Sequence, residues 1–215
     1  MRVAVVKNIL DANDRIAAEN RRLFDLNNLF VFNLMSGPGA GKTTLLEQLG
    51  AALSQEVRIG VIEGDIQSTI DAERVAATGI SAVQIETDGA CHLDANMIRS
   101  SLNDLDLDKL DLLIVENVGN LVCPAEFNIG EDCKVMLLSV TEGDDKPLKY
   151  PLMFKESRVL LISKIDLLPH LRCDINKIKS AALSINPEIT IFEISSYTGQ
   201  GLDEWHQWVL NQIKK

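Results

Sequence analysis

No stretch of this sequence approaches the roughly 18 consecutive apolar residues that a membrane helix needs. Its first residues also lack the basic, apolar and small-residue regions of a signal peptide. The expected location is therefore cytoplasmic. Basic residues are scarce as well: 21 Lys and Arg stand against 31 Asp and Glu, a formal net charge of -10. Phosphate backbones and anionic bilayers need clustered Lys and Arg, so neither nucleic acid nor a membrane surface is an expected partner. Cysteine is confined to Cys91, Cys123, Cys133 and Cys173, and in a reducing compartment such thiols are free or bind metal rather than form disulfides. Internal repeats, low-complexity tracts and a convincing linker are all missing. The 215 residues, 46% hydrophobic and 24% charged, are accordingly expected to form one domain, residues 1–215.

What is present centres on residues 30–44, FVFNLMSGPGAGKTT. An apolar run leads into a glycine-rich turn and then into a helical pattern, LLEQLGAAL, which predicts strand, phosphate loop and helix. Glycines let backbone N–H groups turn inward around phosphates, so Ser36, Gly37, Pro38, Gly39, Ala40, Gly41, Lys42, Thr43 and Thr44 form the expected nucleotide-binding loop. Lys42 is placed to reach the outer phosphates and the Thr43 hydroxyl to take a Mg²⁺ position. The motif GxxxxGK(S/T) asks for glycine at its first place, and here that place is Ser36.

The rest of the chain alternates. Residues from about Asp11 to Asn28 carry apolar positions near helical spacing, an amphipathic helical segment (1–29) packed on the domain. Strands are expected at Val57–Ile62, Ala82–Glu86, Leu112–Val115, Val135–Val140, Val159–Ile162 and Thr190–Ile194. Helices are expected at Thr44–Leu53, at a segment capped by Ser68 or Thr69 and closed by Gly79, and at Leu93–Leu102, Asp174–Leu183 and Leu202–Ile213. Between them, TEGDDKPLKYP reads as a polar, proline-broken stretch. This pattern predicts an α/β fold: a mainly parallel central β-sheet flanked by helices on both faces.

Ligands of such sheets sit at the carboxyl ends of the strands, where the polar clusters of this sequence also fall. Glu116 closes the run DLLIV, where a phosphate-loop protein holds Mg²⁺ or its waters. Asp65, at the end of the preceding strand, is suited to the same ion or to the attacking water. Lys42, Asp65 and Glu116 are thus the expected catalytic set, and Thr43, Asp65 and Glu116 the magnesium set. Ser163-Lys164-Ile165-Asp166 resembles the base-reading (N/S/T)KxD motif of GTPases, in which Lys164 and the Asp166 carboxylate select guanine. Ser163 stands where Asn is commonest, which weakens the expected side-chain contact to the base. Ser195 and Ser196, in SSYTGQG, fall where GTPases carry a second base-contacting loop.

Cys91 and His92 follow one strand and Cys123 follows another. Two thiolates and an imidazole make a soft donor set suited to Ni²⁺ or Zn²⁺, although buried structural thiols are the commoner fate of lone cysteines. Cys133 and Cys173 read as structural, and His170 and His206 as isolated surface residues. Two other classes fit part of the pattern: an ATP-using small-molecule kinase on the same fold, and a non-catalytic zinc-stabilised GTP-binding module.

In this order MSGPGAGKTT, GDIQST, TDGACHLDANM, DLLIVENVGNLVCPAEF, EGDDKPLKYP and SKIDLL resemble the HypB family of nickel-incorporation GTPases, with the urease accessory family UreG as a near relative. The resemblance runs from about Phe30 to the end, and ENVGNLVCP and CHLDA are its most specific parts. It implies a P-loop GTPase fold of the SIMIBI class, acting on GTP with Mg²⁺, and hydrolysis is expected to be slow because no arginine finger is evident within the motifs. It also implies a homodimer promoted by nucleotide and metal, a HypA-like nickel metallochaperone as partner, and delivery of nickel to the [NiFe]-hydrogenase large subunit. The family's metal site maps onto Cys91, His92 and Cys123, bridged across the dimer. With no Cys before Cys91 and no His before His92, the N-terminal nickel motif of some members is not expected here. Lys146 or Lys149 is a candidate to reach the partner subunit's nucleotide.

Overall fold

Short apolar runs separated by polar helix-forming segments leave the strands little choice but to pair in parallel through helical crossovers. The computed structural model describes residues 8–65 and 74–213. Its strands are β1 (Phe30–Ser36), β2 (Ile59–Asp65), β3 (Ser81–Glu86), β4 (Leu112–Glu116), β5 (Cys133–Ser139), β6 (Ser157–Ser163) and β7 (Thr190–Glu193). They form one seven-stranded sheet in the order β3-β2-β4-β1-β5-β6-β7, and each adjacent pair is parallel. The helices are α1 (Asn8–Leu26), α2 (Lys42–Leu53), α3 (Ala95–Ser101), α4 (Cys123–Glu126), α5 (Lys146–Lys149), α6 (Pro151–Glu156), α7 (Ile175–Ile185) and α8 (Leu202–Ile213).

Both faces of the sheet are buried. Along β1, Phe32 and Leu34 pack with Leu46 and Leu49 of α2 and Trp205 of α8. Val31 turns the other way, onto Phe24 of α1 and Ile98 of α3, and Met35 meets Phe154 of α6 and Ile178 of α7. Alternate residues therefore serve opposite cores, as a doubly covered parallel strand requires. From β1 the chain runs to β2 and β3 on one side, returns to place β4 between β1 and β2, and then crosses to the other side through β5, β6 and β7. The reversal lies beside β1, and the crevice at its carboxyl end is where a ligand of such a sheet sits.

Several boundaries differ from the sequence reading for identifiable reasons. α3 begins at Ala95 because Asp94 caps it, its Oδ1 accepting from Met97 N at 2.8 Å. Asp174 likewise stands outside α7 and accepts from Asn176 N and Lys177 N. The stretch after β5 is not a bare loop: Pro147 and Pro151 sit in the first turns of α5 and α6, where a missing N–H costs nothing. The expected cap at Ser68 or Thr69 lies outside the described residues, while Gly79 adopts φ 89 where a helix end was expected. His206 corrects its reading as a surface residue. It is 9% exposed, because one helical turn after Leu202 it falls on the buried face of α8, and burial lowers the pKa of its imidazole. Among the described residues no helix is long and apolar enough to cross a membrane.

Candidate functional site

The chain leaves β1 at Ser36 and turns into α2 at Lys42 through a loop with two left-handed glycines, Gly39 (φ 71) and Gly41 (φ 104), a conformation that side chains disfavour. Gly37 is crowded for a different reason: a Cβ there would stand 2.5 Å from Glu142 Oε2 and displace that carboxylate. Lys42 folds back so that its Nζ lies 3.1 Å from Ser36 Oγ and 3.9 Å from Glu116 Oε1. Thr43 Oγ1 donates to the same Glu116 oxygen at 3.4 Å. The departure from glycine at Ser36 is thus accommodated, with its hydroxyl donating to Gly37 O at 2.6 Å while accepting from the lysine. Lys42, Thr43 and Glu116 converge on a cleft of about 480 Å³ between the loop and the ends of β2 and β4. The cleft has backbone N–H groups at a helix N-terminus, an ammonium, a hydroxyl and a buried carboxylate, a donor set that fits a nucleoside triphosphate with Mg²⁺.

The two loops expected to read the base meet beside this cleft. Ser195 Oγ donates to Asp166 Oδ1 at 2.6 Å and accepts from Thr198 N at 3.1 Å, joining 163–166 to the loop that contains half-buried Ser196. Lys164, at φ 59, donates to Gly39 O at 2.7 Å. Ser163 is buried and donates to Ala40 O at 2.9 Å, so its hydroxyl fastens the phosphate loop from below.

Cys91, His92 and Cys123 come together although 32 residues separate the two cysteines. Their ligand atoms all lie within 4.8 Å of one another. The Cys91 thiol donates to Cys123 Sγ at 3.1 Å, and Cys91 Sγ lies 3.6 Å from His92 Nδ1. The neighbouring thiol, and then burial, raise the pKa of Cys123. Burial lowers that of His92 against the opposing pull of Asp94 and Glu126, which keeps its ring nitrogens available as ligands. The imidazole is clamped by Phe127, stacked at 3.8 Å between ring centroids. Two soft sulfurs and one imidazole within reach of a common point fit a thiophilic divalent cation.

Sequence reasoning missed the residues that join cleft and cluster. Asn117 follows Glu116 and is 1% exposed. Its Oδ1 accepts from Leu93 N at 3.0 Å and from Val118 N at 3.0 Å, and its Nδ2 donates to Asn33 Oδ1 at 3.1 Å. Asn120 Nδ2 donates to Cys91 O at 3.2 Å. Glu63 also lines the cleft, in register with Glu116 on the adjacent strand. Arg74 reaches the same cleft and is gripped at both nitrogens by Glu47 of α2. Glu142, its pKa raised by burial, faces Gly37 and anchors Ser139 N. Asp65 closes β2, but its side chain lies outside the described residues. Lys146 is turned inward onto Glu142 O and Asp145, whereas Lys149 lies 59% exposed in an ion pair with Asp145.

Residues 30–193 match the family described as CobW/HypB/UreG, nucleotide-binding domain. The chain is a member of the CobW/HypB/UreG family, on its HypB branch. The hydrogenase maturation factor HypB of Escherichia coli K12 is 50% identical over 204 residues, which cover 95% of this chain and 70% of that protein. Among solved structures, HypB from Helicobacter pylori in complex with nickel superposes with a TM-score of 0.90 at 41% identity, covering 94% of this chain and 95% of that one. HypB from Archaeoglobus fulgidus gives the same TM-score of 0.90 at 39% identity, covering 95% and 100%. The matched residues include the phosphate loop, and the segments CHLDA and ENVGNLVCP carry the cysteines of the cluster.

Proposed function

We propose that this protein is a GTP-hydrolysing nickel metallochaperone that assists nickel insertion into the [NiFe]-hydrogenase large subunit. The observation that carries the reading is the convergence of Cys91, His92 and Cys123 one short connection away from the strand that ends in Glu116. Similarity to hydrogenase maturation factors, one of them solved in complex with nickel, supports it.

Lys42 and the loop N–H groups hold the phosphates, and Asp166 with Lys164 selects guanine, whose N1 and exocyclic amine offer the donor pair that adenine lacks. Mg²⁺, when bound, neutralises the charge that develops between the outer phosphates. Thr43 and Glu116 are the residues that would hold it, with Glu63 or Asp65 positioned at the neighbouring strand end to orient water. The phosphate-loop motif itself carries no arginine, and Arg74 at the cleft is engaged by Glu47 of α2, so slow hydrolysis is the expected outcome. Nickel is cargo. Cys91, Cys123 and His92 bind it as thiolates and neutral imidazole, with Zn²⁺ as competitor, and a second copy of the chain completes its coordination.

The Asn117 bond to Leu93 N ties the cluster to the strand end that senses nucleotide. Occupancy of the cleft therefore changes the cluster, and by linkage metal changes nucleotide affinity by the same factor. The test is hydrolysis and binding on one preparation. GTP, but not ATP, should be hydrolysed with Mg²⁺, and nickel should bind in wild type and be lost in Cys91→Ala and Cys123→Ala. ATP hydrolysis at an equal rate, or nickel binding untouched in both variants, contradicts the reading.

A further inference from the structure

The first helix of the chain packs against the helix that follows Cys91 and His92 and against the segment that follows Cys123. Two of its asparagines, Asn13 and Asn20, are 7% and 0% exposed. Asn13 Oδ1 accepts from Ala95 N at 2.9 Å, and its Nδ2 donates to Asn128 O at 2.8 Å. Asn20 Nδ2 donates to Ala95 O at 2.9 Å and to Ile129 O at 3.1 Å. Ala95 opens the helix that follows Cys91 and His92, while Asn128 and Ile129 end the segment that begins at Cys123. Each asparagine thus bonds both metal-bearing segments at once. The second segment also lies directly on the helix: a Cβ at Gly130 would stand 2.8 Å from Ala17 O and 2.9 Å from Arg21 N.

We infer that α1 is the fixed brace of the nickel site, and that Asn13 and Asn20 are positioning residues that set the spacing between the Cys91–His92 segment and the Cys123 segment. This rests on the nickel-site reading given above. A helix that merely covered the sheet would bury apolar side chains, as Phe24 does. It would not spend two buried amides on backbone groups of two different loops. From the cleft side Asn117 and Asn120, just past β4, hold Leu93 and Cys91, and Asn120 Oδ1 also accepts from Val122 N beside Cys123. The ligands are therefore suspended between an anchor at the cleft and an anchor on α1. A shift of residues 117–120 alters the Cys91–Cys123 relation because Ala95, Asn128 and Ile129 stay with α1.

The test uses the full chain and Ni²⁺ alone as probe, with Asn13→Leu and Asn20→Leu, which keep the side-chain size and remove the bonds. Phe24→Leu loosens the same helix through its apolar packing while removing no hydrogen bond to either segment, and Glu19→Gln alters its exposed face. Outer partners of metal ligands typically carry about tenfold or more in metal affinity. Nickel affinity should therefore fall by about tenfold in each asparagine variant, with an altered thiolate-to-nickel absorption band. GTP-analogue affinity measured without metal should fall far less. Phe24→Leu should lower the melting temperature yet leave the nickel spectrum alone. If Asn13→Leu does not fold, Asn20→Leu and Asn13→Asp, which keeps the acceptor and loses the donor, decide the matter. Wild-type nickel affinity and spectrum in the folded asparagine variants, or the same change in Phe24→Leu, overturns the brace. Retention of nickel by Cys91→Ala in the wild-type background instead overturns the site itself, so the two failures are distinct.

Discussion

The side chain of Asn117 and the backbone of Leu93 form a 3.0 Å hydrogen bond between two segments with different duties. Asn117 stands one residue after Glu116 in the phosphate-loop cleft, and Leu93 one residue after His92 in the Cys91–His92–Cys123 cluster. The bond is buried at both ends, so each segment moves with the other or leaves polar groups unpaired.

Asn117→Leu should therefore uncouple the two ligands. It leaves the N–H groups of Leu93 and Val118 without their partner, at a stability cost of about 3 kcal/mol. In the folded fraction both ligands still bind. The ratio of nickel affinities measured with GTP analogue and with GDP should fall from about fivefold or more toward one. Calorimetric titration checks this, and an undiminished ratio would assign the coupling elsewhere.

How much of this could be read from the chain depended on how far each side chain reaches. The strand, phosphate loop and helix over residues 30–53 and α8 were legible because glycines, the Lys-Thr pair and helical spacing act within a few residues. Cys91, His92 and Cys123 were legible as donor types, and their convergence followed from strand ends sharing one edge. Asn117 and Asn13 were not legible. Asparagine is an ordinary loop or helix residue until its partner is known, and here the partners lie 24 and 82 residues away. Ser163 was legible as a departure from the motif but not as a bond to Ala40. His206 was misread because one polar residue on an amphipathic helix carries no sign of which face it joins.

Glu116→Gln should keep nucleotide and lose turnover. The buried carboxylate gathers Thr43 and Lys42, and its amide replacement removes the charge available to a magnesium ion while preserving shape. GTP hydrolysis should drop by roughly a hundredfold, the scale on which a single electrostatic group acts in such sites. Lys42→Met, by contrast, should abolish nucleotide binding itself. Fluorescent-analogue binding beside phosphate release separates the two effects, and equal loss of binding in both variants would contradict these roles.

Asp166→Asn should alter the choice of base. The carboxylate is held by Ser195 Oγ at 2.6 Å and accepts from donors only. An amide presents a donor as well, which suits the second carbonyl of xanthine better than the amine of guanine. The variant should bind GTP at least about tenfold more weakly and gain affinity for XTP, since a mispaired buried donor carries about 1–3 kcal/mol. Competition between the two nucleotides measures it. Unchanged preference would move base recognition away from this loop.

Cys133 should be the inert thiol of the chain. Burial lifts its pKa from 9.0 to about 12, with Arg158 opposing. The folded protein keeps its proton where the unfolded chain loses it. The stability this thiol contributes is therefore whole below pH 9.0 and lost as pH climbs toward 12. Cys133→Ala should flatten the alkaline arm of the stability curve. At mildly alkaline pH, mass spectrometry should find alkylation at exposed Cys91 well before Cys133. Equal labelling would contradict the burial argument.

The measurement that tests the account most directly is a nickel titration of metal-free protein with GTP analogue or GDP present, followed by calorimetry and by mass in solution. The account predicts tighter nickel binding and a dimer when analogue and metal are both present, with both effects lost in Cys91→Ala and Cys123→Ala. Nickel affinity and mass that are the same in the two nucleotide states would contradict it, leaving a nucleotide-binding protein whose cysteine cluster does not communicate with its cleft.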